Sequence, residues 1–167
     1  MKLSATIDGK RAVRYAHSYI GIGLTPKVGQ ELNKTSLNRL NEIWIVLRAL
    51  FILQPVKIVV DDKRRAYDSI IFSNVSSMSK VLKVAKTADS ADGKFEISMH
   101  ANRSTLKLIS TLLKATLRGF EEVKQAKKFA FKTLKETVVQ LDGEISTLDA
   151  DTTVKIEIVP GILSEIV

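Results

Sequence analysis

Apolar residues recur along this chain at two periods, and the changes of period divide it. Leu3, Ala5 and Ile7 alternate with polar neighbours as far as Asp8-Gly9, a turn signal. Val13, Tyr15, His17 and Tyr19 then fall on one face at period two, which predicts a second strand. Gly21-Ile-Gly23 follows, and two glycines at this spacing after a strand predict a close backbone approach. Thr25-Pro26 fits the start of a short helix to about Asn33, with Pro at its first position. Between Ser36 and Leu53 the period changes to three and four, through Leu37, Leu40, Ile43, Trp44, Leu47, Leu50 and Phe51. This predicts an amphipathic helix capped by Thr35 or Ser36 and stopped at Pro55.

Period two returns at 56–60, a strand that turns at 61–64 and comes back over 66–73 as a hairpin. From 74 to 90 no period is clear, 88–93 reads as a loop, and 94–99 reads as a strand. Asn102 caps a second helix, over about 103–118, with a stripe of Leu106, Ile109, Leu113 and Leu117 that ends at Gly119. Further strands are predicted at 128–133, 137–142 and 153–159, and 161–167 is read as closing the sheet. Many strands with two or three helical excursions predict an α+β, β-rich fold. No linker, repeat or change of composition divides residues 1–167, so a single domain is expected.

Composition removes several kinds of chemistry. The chain has no cysteine, so disulfides, thiolate metal centres and cysteine nucleophiles are excluded. Lys and Arg number 26 against 18 Asp and Glu, a net charge of +8, which favours polyanionic partners without choosing among them. The most apolar stretch, 43–53, is interrupted by Arg48 and is shorter than the roughly 20 residues of a spanning helix. Residues 1–14 hold no signal-like apolar run, so a soluble, cytoplasmic protein is the expectation.

Candidate chemistry is sparse. No Walker-type loop, GxGxxG motif or adjacent glycine pair is present, so the chain itself shows no nucleotide site. His17 and His100 lack partners at metal-ligand spacing and read as structural or incidental. In Leu141-Asp142-Gly143-Glu144, Asp142 and Glu144 alternate at the end of a strand. Read as strand, both carboxylates leave one face, a pair suited to accepting and orienting a proton; read as Asp-Gly turn, they are solvated acids. In Asp89-Ser-Ala-Asp92-Gly93-Lys94, a carboxylate flanked by carbonyls suits a hard cation such as Mg²⁺ or Ca²⁺, or else an Asp-capped turn. The lysines at 124, 127, 128, 132 and 135 form a basic run near one strand, without the interleaved aromatics of a single-strand nucleic-acid binder.

The order of these features resembles the second, C-terminal domain of the diacylglycerol kinase-like lipid kinases, a family that includes bacterial diacylglycerol and phospholipid kinases and sphingosine kinases. The resemblance runs through Ile20-Gly21-Ile-Gly23, Ser73-Asn74, Ala88-Asp-x-x-Asp92-Gly93, the helix ending Leu117-Arg118-Gly119, Val139-Gln-Leu-Asp-Gly-Glu144 and Val159-Pro-Gly161. It implies a two-sheet β-sandwich with helical insertions. It further implies that Glu144 accepts the proton of a lipid hydroxyl with Asp142 in support. A structural Mg²⁺ would be held by the Asp92 side chain and the main-chain carbonyls of Asp89 and Lys94. The chain departs from the family pattern at Gly23-Leu-Thr-Pro26 and at Val75-Ser-Ser-Met-Ser-Lys80, where a glycine-rich stretch is usual.

The family's first domain carries the Gly-Gly-Asp-Gly-Thr nucleotide motif, which is not in this sequence. The expectation is therefore the substrate-side half of an ATP-dependent lipid kinase. It would act on a lipid such as diacylglycerol at a membrane surface, with ATP bound by a nucleotide-binding partner domain. Phosphoryl transfer depends on positioning nucleotide, metal and acceptor together. The second expectation is a lipid- or membrane-binding module without catalysis. Nucleic acid is not expected as a partner, and self-association is left open.

Overall fold

The computed structural model describes residues 1–23, 26, 55–75, 92–101 and 123–161. The helices expected at 36–53 and 103–118, the short helix after Pro26, the stretch 76–91 and residues 162–167 lie outside the described residues. Twelve strands account for about two thirds of what is described, all paired antiparallel. Among the described residues, no helix is long and apolar enough to cross a membrane.

A long bent hairpin organises the sheet. β9 (Lys128–Thr133) and β10 (Thr137–Leu141) form one run that faces β11 (Glu144–Leu148) and β12 (Thr153–Glu157). β10 pairs with β11, and β9 pairs with β12. The corner falls at 134–136 and 149–152, where ladder pairing stops and side chains take over. The buried Thr133 hydroxyl donates to the Asp149 carbonyl at 2.7 Å and accepts the Thr152 N–H at 3.1 Å. β1 (Lys2–Ile7) runs along the outside of this corner, pairing with β12 at Lys2–Ser4 and with β11 at Ile7. β2 (Lys10–Tyr15) pairs with β1.

Each arm of the bent hairpin extends into a wing. Beside β9 lie β4 (Val56–Val60) and β5 (Lys63–Tyr67). Beside β10 lie β3 (Tyr19–Gly23), β6 (Ser69–Ser73), β7 (Phe95–His100) and β8 (Val123–Ala126). The order is β5-β4-β9-β12-β1-β11-β10-β3-β6-β7-β8, with β2 branching from β1. Phe72 on β6 is in register with Ile20 and Leu141, so in a flat sheet it would lie twelve residues, about 40 Å, along the β9–β10 run from Phe129. Yet the Phe72 ring on β6 lies 5.5 Å from Phe129 and 6.4 Å from Phe131, both on β9. The expected two-sheet sandwich is therefore one continuous sheet bent until its wings face each other.

The interior is read from alternation. Ile20 and Ile22 on β3 stand opposite Phe72 and Ile70 on β6, and Leu141 and Val139 on β10 share their face. With Leu3, Ile7, Val154, Ile156, Phe95 and Phe131 they form the buried core. Three two-residue turns close hairpins with positive φ at both positions: Asp8-Gly9, Asp61-Asp62 and Asp142-Gly143. Such turns match the right-handed twist of paired strands, and Asp tolerates the left-handed region better than most residues.

Other expectations need correction. The run 13–19 is not one strand: Val13 and Tyr15 are exposed on β2, and residues 16–18 form a loop before β3. The return at 66–73 is two strands, because the buried Asp68 donates its N–H to the His100 carbonyl and β6 leaves the hairpin for β3 and β7. β8 and β11, polar and short, carried no clear alternation.

Gly23 is the close approach that the paired glycines predicted. A Cβ there would lie 2.5 Å from the Asp68 carbonyl oxygen, at φ +89°, whereas Gly9, at φ +77°, has open space around it. Ala at either position carries the left-handed penalty of about 1–2 kcal/mol. Gly23→Ala is expected to lose about 1–3 kcal/mol more than Gly9→Ala, measured by denaturant midpoints. Equal losses would contradict the tight contact.

Candidate functional site

One end of the larger wing gathers most of the residues singled out in the sequence. Asp142 follows the end of β10, Tyr19 begins β3, Ser73 and Asn74 end β6, and Glu96 stands near the start of β7. Tyr19 is opposite Ser73, and Ser73 is opposite Glu96, so these positions form a row across the strands.

Asp142 organises this rim. Its Oδ2 accepts the His17 N–H at 2.5 Å, and its Oδ1 accepts those of Ser18 and Tyr19 at 2.9 and 2.8 Å. Its own N–H donates to the Tyr19 carbonyl at 3.1 Å. Three successive backbone donors aimed at one carboxylate form a small anion cradle that the protein fills with its own side chain. The loop 16–18 is also held by Ala16, whose N–H donates to the Met1 carbonyl at 2.9 Å. Asp149 repeats the device, taking the Gly9 N–H on both oxygens at 3.1 and 3.2 Å.

Asp142 and Gly143 are the turn itself and Glu144 opens β11 opposite Leu141, so the reading of both carboxylates on one strand face is corrected to the turn reading. Asp142 is nevertheless no idle solvated acid, because its carboxylate is occupied by the loop. The Glu144 side chain is exposed and forms no hydrogen bond or ion pair with a described residue. It is a carboxylate presented to solvent from a rigid hairpin, two residues after the clamp.

Two neighbours went unmarked by charge or spacing. Asn74 is buried and donates its N–H to the Ser18 carbonyl at 2.8 Å, and among the described residues its side-chain Oδ1 has no hydrogen-bond partner. A buried amide oxygen left without a donor is costly. His17, read as incidental, contributes its backbone N–H to the clamp, and its exposed ring Nδ1 lies 3.4 Å from the Ser18 hydroxyl.

The second acidic cluster is on the same rim. The Asp92 Oδ1 accepts the Lys94 N–H at 2.8 Å across Gly93, at φ +68°, a side-chain-closed turn of the kind Asp favours. Asp92 is exposed and its carboxylate oxygens suit a hard cation, so the residues fit Mg²⁺ as far as they are described; Asp89 lies outside the described residues. Among the described residues no group of three or more His, Asp or Glu side chains is placed to hold a metal. Behind the loop, the Lys94 Nζ lies 3.5 Å from the Gln125 Oε1, and the Gln125 Nε2 lies 3.3 Å from an oxygen of the buried Glu96.

No protein-family profile and no curated sequence matches the chain. Solved structures do share its fold. A diacylglycerol kinase from Bacillus anthracis str. Sterne superposes with a TM-score of 0.51 at 18% identity, over 97% of this chain and 58% of the kinase. A second structure, provisionally named a diacylglycerol kinase from the same organism, gives 0.53 at 17% identity, over 97% of this chain and 57% of the other. The chain thus spans a little over half the length of the structures it matches. Its fold is that of one part of them, in keeping with the second, C-terminal domain that the motif order resembles.

The clamp has a measurable consequence at Tyr19. Partial burial, and then the nearby Asp142 charge, raise the phenol above its ordinary 10.0. The unfolded chain therefore loses this proton first as pH climbs. Stability linked to Tyr19 is complete below pH 10 and declines as pH rises towards the folded-state value. Tyr19→Phe is expected to flatten that alkaline decline. Asp142→Ala is expected to lower the titration of the phenol part of the way and to cost about 1–3 kcal/mol of stability. Phenolate absorbance followed with pH, beside denaturant unfolding, checks both.

Proposed function

We propose that this chain is the acceptor-side half of an ATP-dependent lipid kinase, which transfers a phosphoryl group to a lipid hydroxyl such as that of diacylglycerol. The observation that carries the reading is the exposed Glu144 on its clamped turn, within a fold shared with diacylglycerol kinases. In this reading the lipid hydroxyl oxygen attacks the γ-phosphorus of ATP as the bond to the ADP oxygen breaks, and Glu144 takes the hydroxyl proton. Asp142 acts by position: it fixes the turn that presents Glu144 and the loop 17–19 beside it. Asn74 places its unpartnered Oδ1 next to that loop, where an acceptor hydroxyl or a bound water is able to donate to it.

The sequence contains no glycine-rich phosphate cradle, so ATP belongs to a nucleotide-binding domain supplied from elsewhere, in trans or in a longer natural chain. Mg²⁺ at Asp92, with the carbonyls of Lys94 and Asp89, would be structural and brace the start of β7. A non-catalytic lipid- or membrane-binding module is the second reading. It is favoured by the complete use of the Asp142 carboxylate in holding the loop.

Labelled ATP and diacylglycerol vesicles are to be added to this chain, to a nucleotide-binding domain of a diacylglycerol kinase, and to both. Transfer is expected with both together. Glu144→Gln is expected to lower it by about 10²–10⁴-fold, the usual contribution of a positioned proton acceptor. A reconstituted complex indifferent to Glu144→Gln removes that residue from catalysis, and absence of transfer in every mixture favours the binding module. Separately, Mg²⁺ is expected to raise the melting temperature of the chain but not that of Asp92→Ala. No Mg²⁺ response in the unsubstituted chain would remove the structural ion.

A further inference from the structure

The two wings differ on the sides turned away from the core. On the larger wing that side is buried, with Ile71, Ser73, Glu96, Ser98 and Gln140 all inaccessible. On the smaller wing it faces solvent, and the register fixes what it carries, since residues opposite each other on neighbouring strands share a face. Across β2, β1, β12 and β9 one row reads Tyr15, Lys2, Glu157, Lys128, and the next reads Val13, Ser4, Lys155, Ala130. A third row begins with Arg11 opposite Thr6 and, beyond β12, reaches Lys132, Val59 and Arg64. Lys57 lies two residues before Val59 and on the same face.

Seven lysines and arginines therefore share this face with a single glutamate. Glu157 lies 3.8 Å from Lys2 and 3.3 Å from Lys128, and Lys132 lies 3.1 Å from Asp151 in the neighbouring turn. Arg11, Lys57, Arg64 and Lys155 form no ion pair with a described residue and remain as exposed cations. The face also carries Val13 and Tyr15, 45% and 58% exposed, the large hydrophobics most open to solvent among the described residues. The basic run noted in the sequence divides: Lys128 and Lys132 belong to this face, while Lys124 lies on β8.

We propose that this face docks onto an anionic phospholipid bilayer. It is broad, six strands or about 24 Å across, and carries no aromatic ladder for stacking bases, so it suits a plane better than a nucleic-acid strand. Cations over anionic headgroups with an aromatic and an aliphatic side chain at the headgroup boundary are the combination that holds peripheral proteins to such membranes. β2 ends at Tyr15 and runs directly into the loop that Asp142 clamps, so docking sets the candidate site at the bilayer edge. That last placement rests on the lipid-kinase reading, but the docking itself requires no catalysis.

The test is sedimentation of the chain with vesicles of phosphatidylcholine, with and without phosphatidylglycerol, in the absence of ATP and diacylglycerol. Binding is expected with phosphatidylglycerol alone and is expected to weaken as salt rises. Lys155→Gln and Arg11→Gln are each expected to weaken it roughly fivefold. Tyr15→Ser is expected to weaken it at high salt as well, where charge is screened. Lys124→Gln, the same change of charge on β8, is expected to leave binding unchanged. Equal binding to both vesicles, equal loss from Lys124→Gln and Lys155→Gln, or tighter binding to single-stranded DNA than to phosphatidylglycerol vesicles would overturn the proposal. Phosphoryl transfer is not read in this assay, so its outcome and that of the kinase test separate.

Discussion

The sheet depends on a corner. Thr133, Asp149 and Thr152 interrupt the ladder between the two halves of the long hairpin and replace its hydrogen bonds with bonds through the Thr133 hydroxyl. Thr6 ties β1 to the same place, its N–H donating to the Thr152 Oγ1 and its own Oγ1 lying 3.0 Å from that oxygen. An unbent sheet of this width would expose an apolar face on every strand. The bend lets Phe72 reach Phe129 and Phe131, and the two faces become one core. A hydroxyl at the corner suits the task because it donates and accepts at once, which an aliphatic side chain of the same shape cannot do.

The rim inherits its rigidity from that core. Leu141 and Ile20 are buried on adjacent strands directly beneath Asp142 and Tyr19, so the clamp stands on packed side chains rather than on a free loop. Glu144 is held by a turn whose neighbours are fixed on both sides and is itself left unengaged. In the lipid-kinase reading proposed above, the residue that positions is thereby separate from the residue that meets the ligand.

What the sequence disclosed follows from how local each determinant is. Strands with strict alternation, such as Leu3-Ser-Ala-Thr-Ile7 and Val154-Lys-Ile156, were readable because one buried face imposes period two. The Asp-Gly turns were readable because left-handed backbone restricts residue choice. β8 was not, since its composition is that of a polar edge strand. The break at 16–18 was invisible for another reason: its cause, the Asp142 carboxylate, lies more than a hundred residues away. For the same reason the loop that the Asp142 carboxylate holds could not be read beside it. Asn74 was quoted only as part of the motif order, and its importance rests on burial, which no local pattern reports. The basic face was likewise scattered through six strands and became one surface only through the register.

The reach of these contacts also sets an order of events in synthesis. The Asp142 clamp joins residues 124 and 125 positions apart, and the Asp149 clamp joins residues 140 apart. At a translation rate of about 5–20 residues per second, the loop after β2 waits roughly 6–25 s for Asp142 to emerge, and β1 waits longer still for β11 and β12. During that interval the nascent chain carries strands whose hydrogen-bonding edges have nothing native to pair with. The charges of β2, Lys10, Arg11 and Arg14, suit that interval and the finished fold alike, because among the described strands β2 pairs only with β1, and repulsion between copies discourages edge-to-edge association along its open edge.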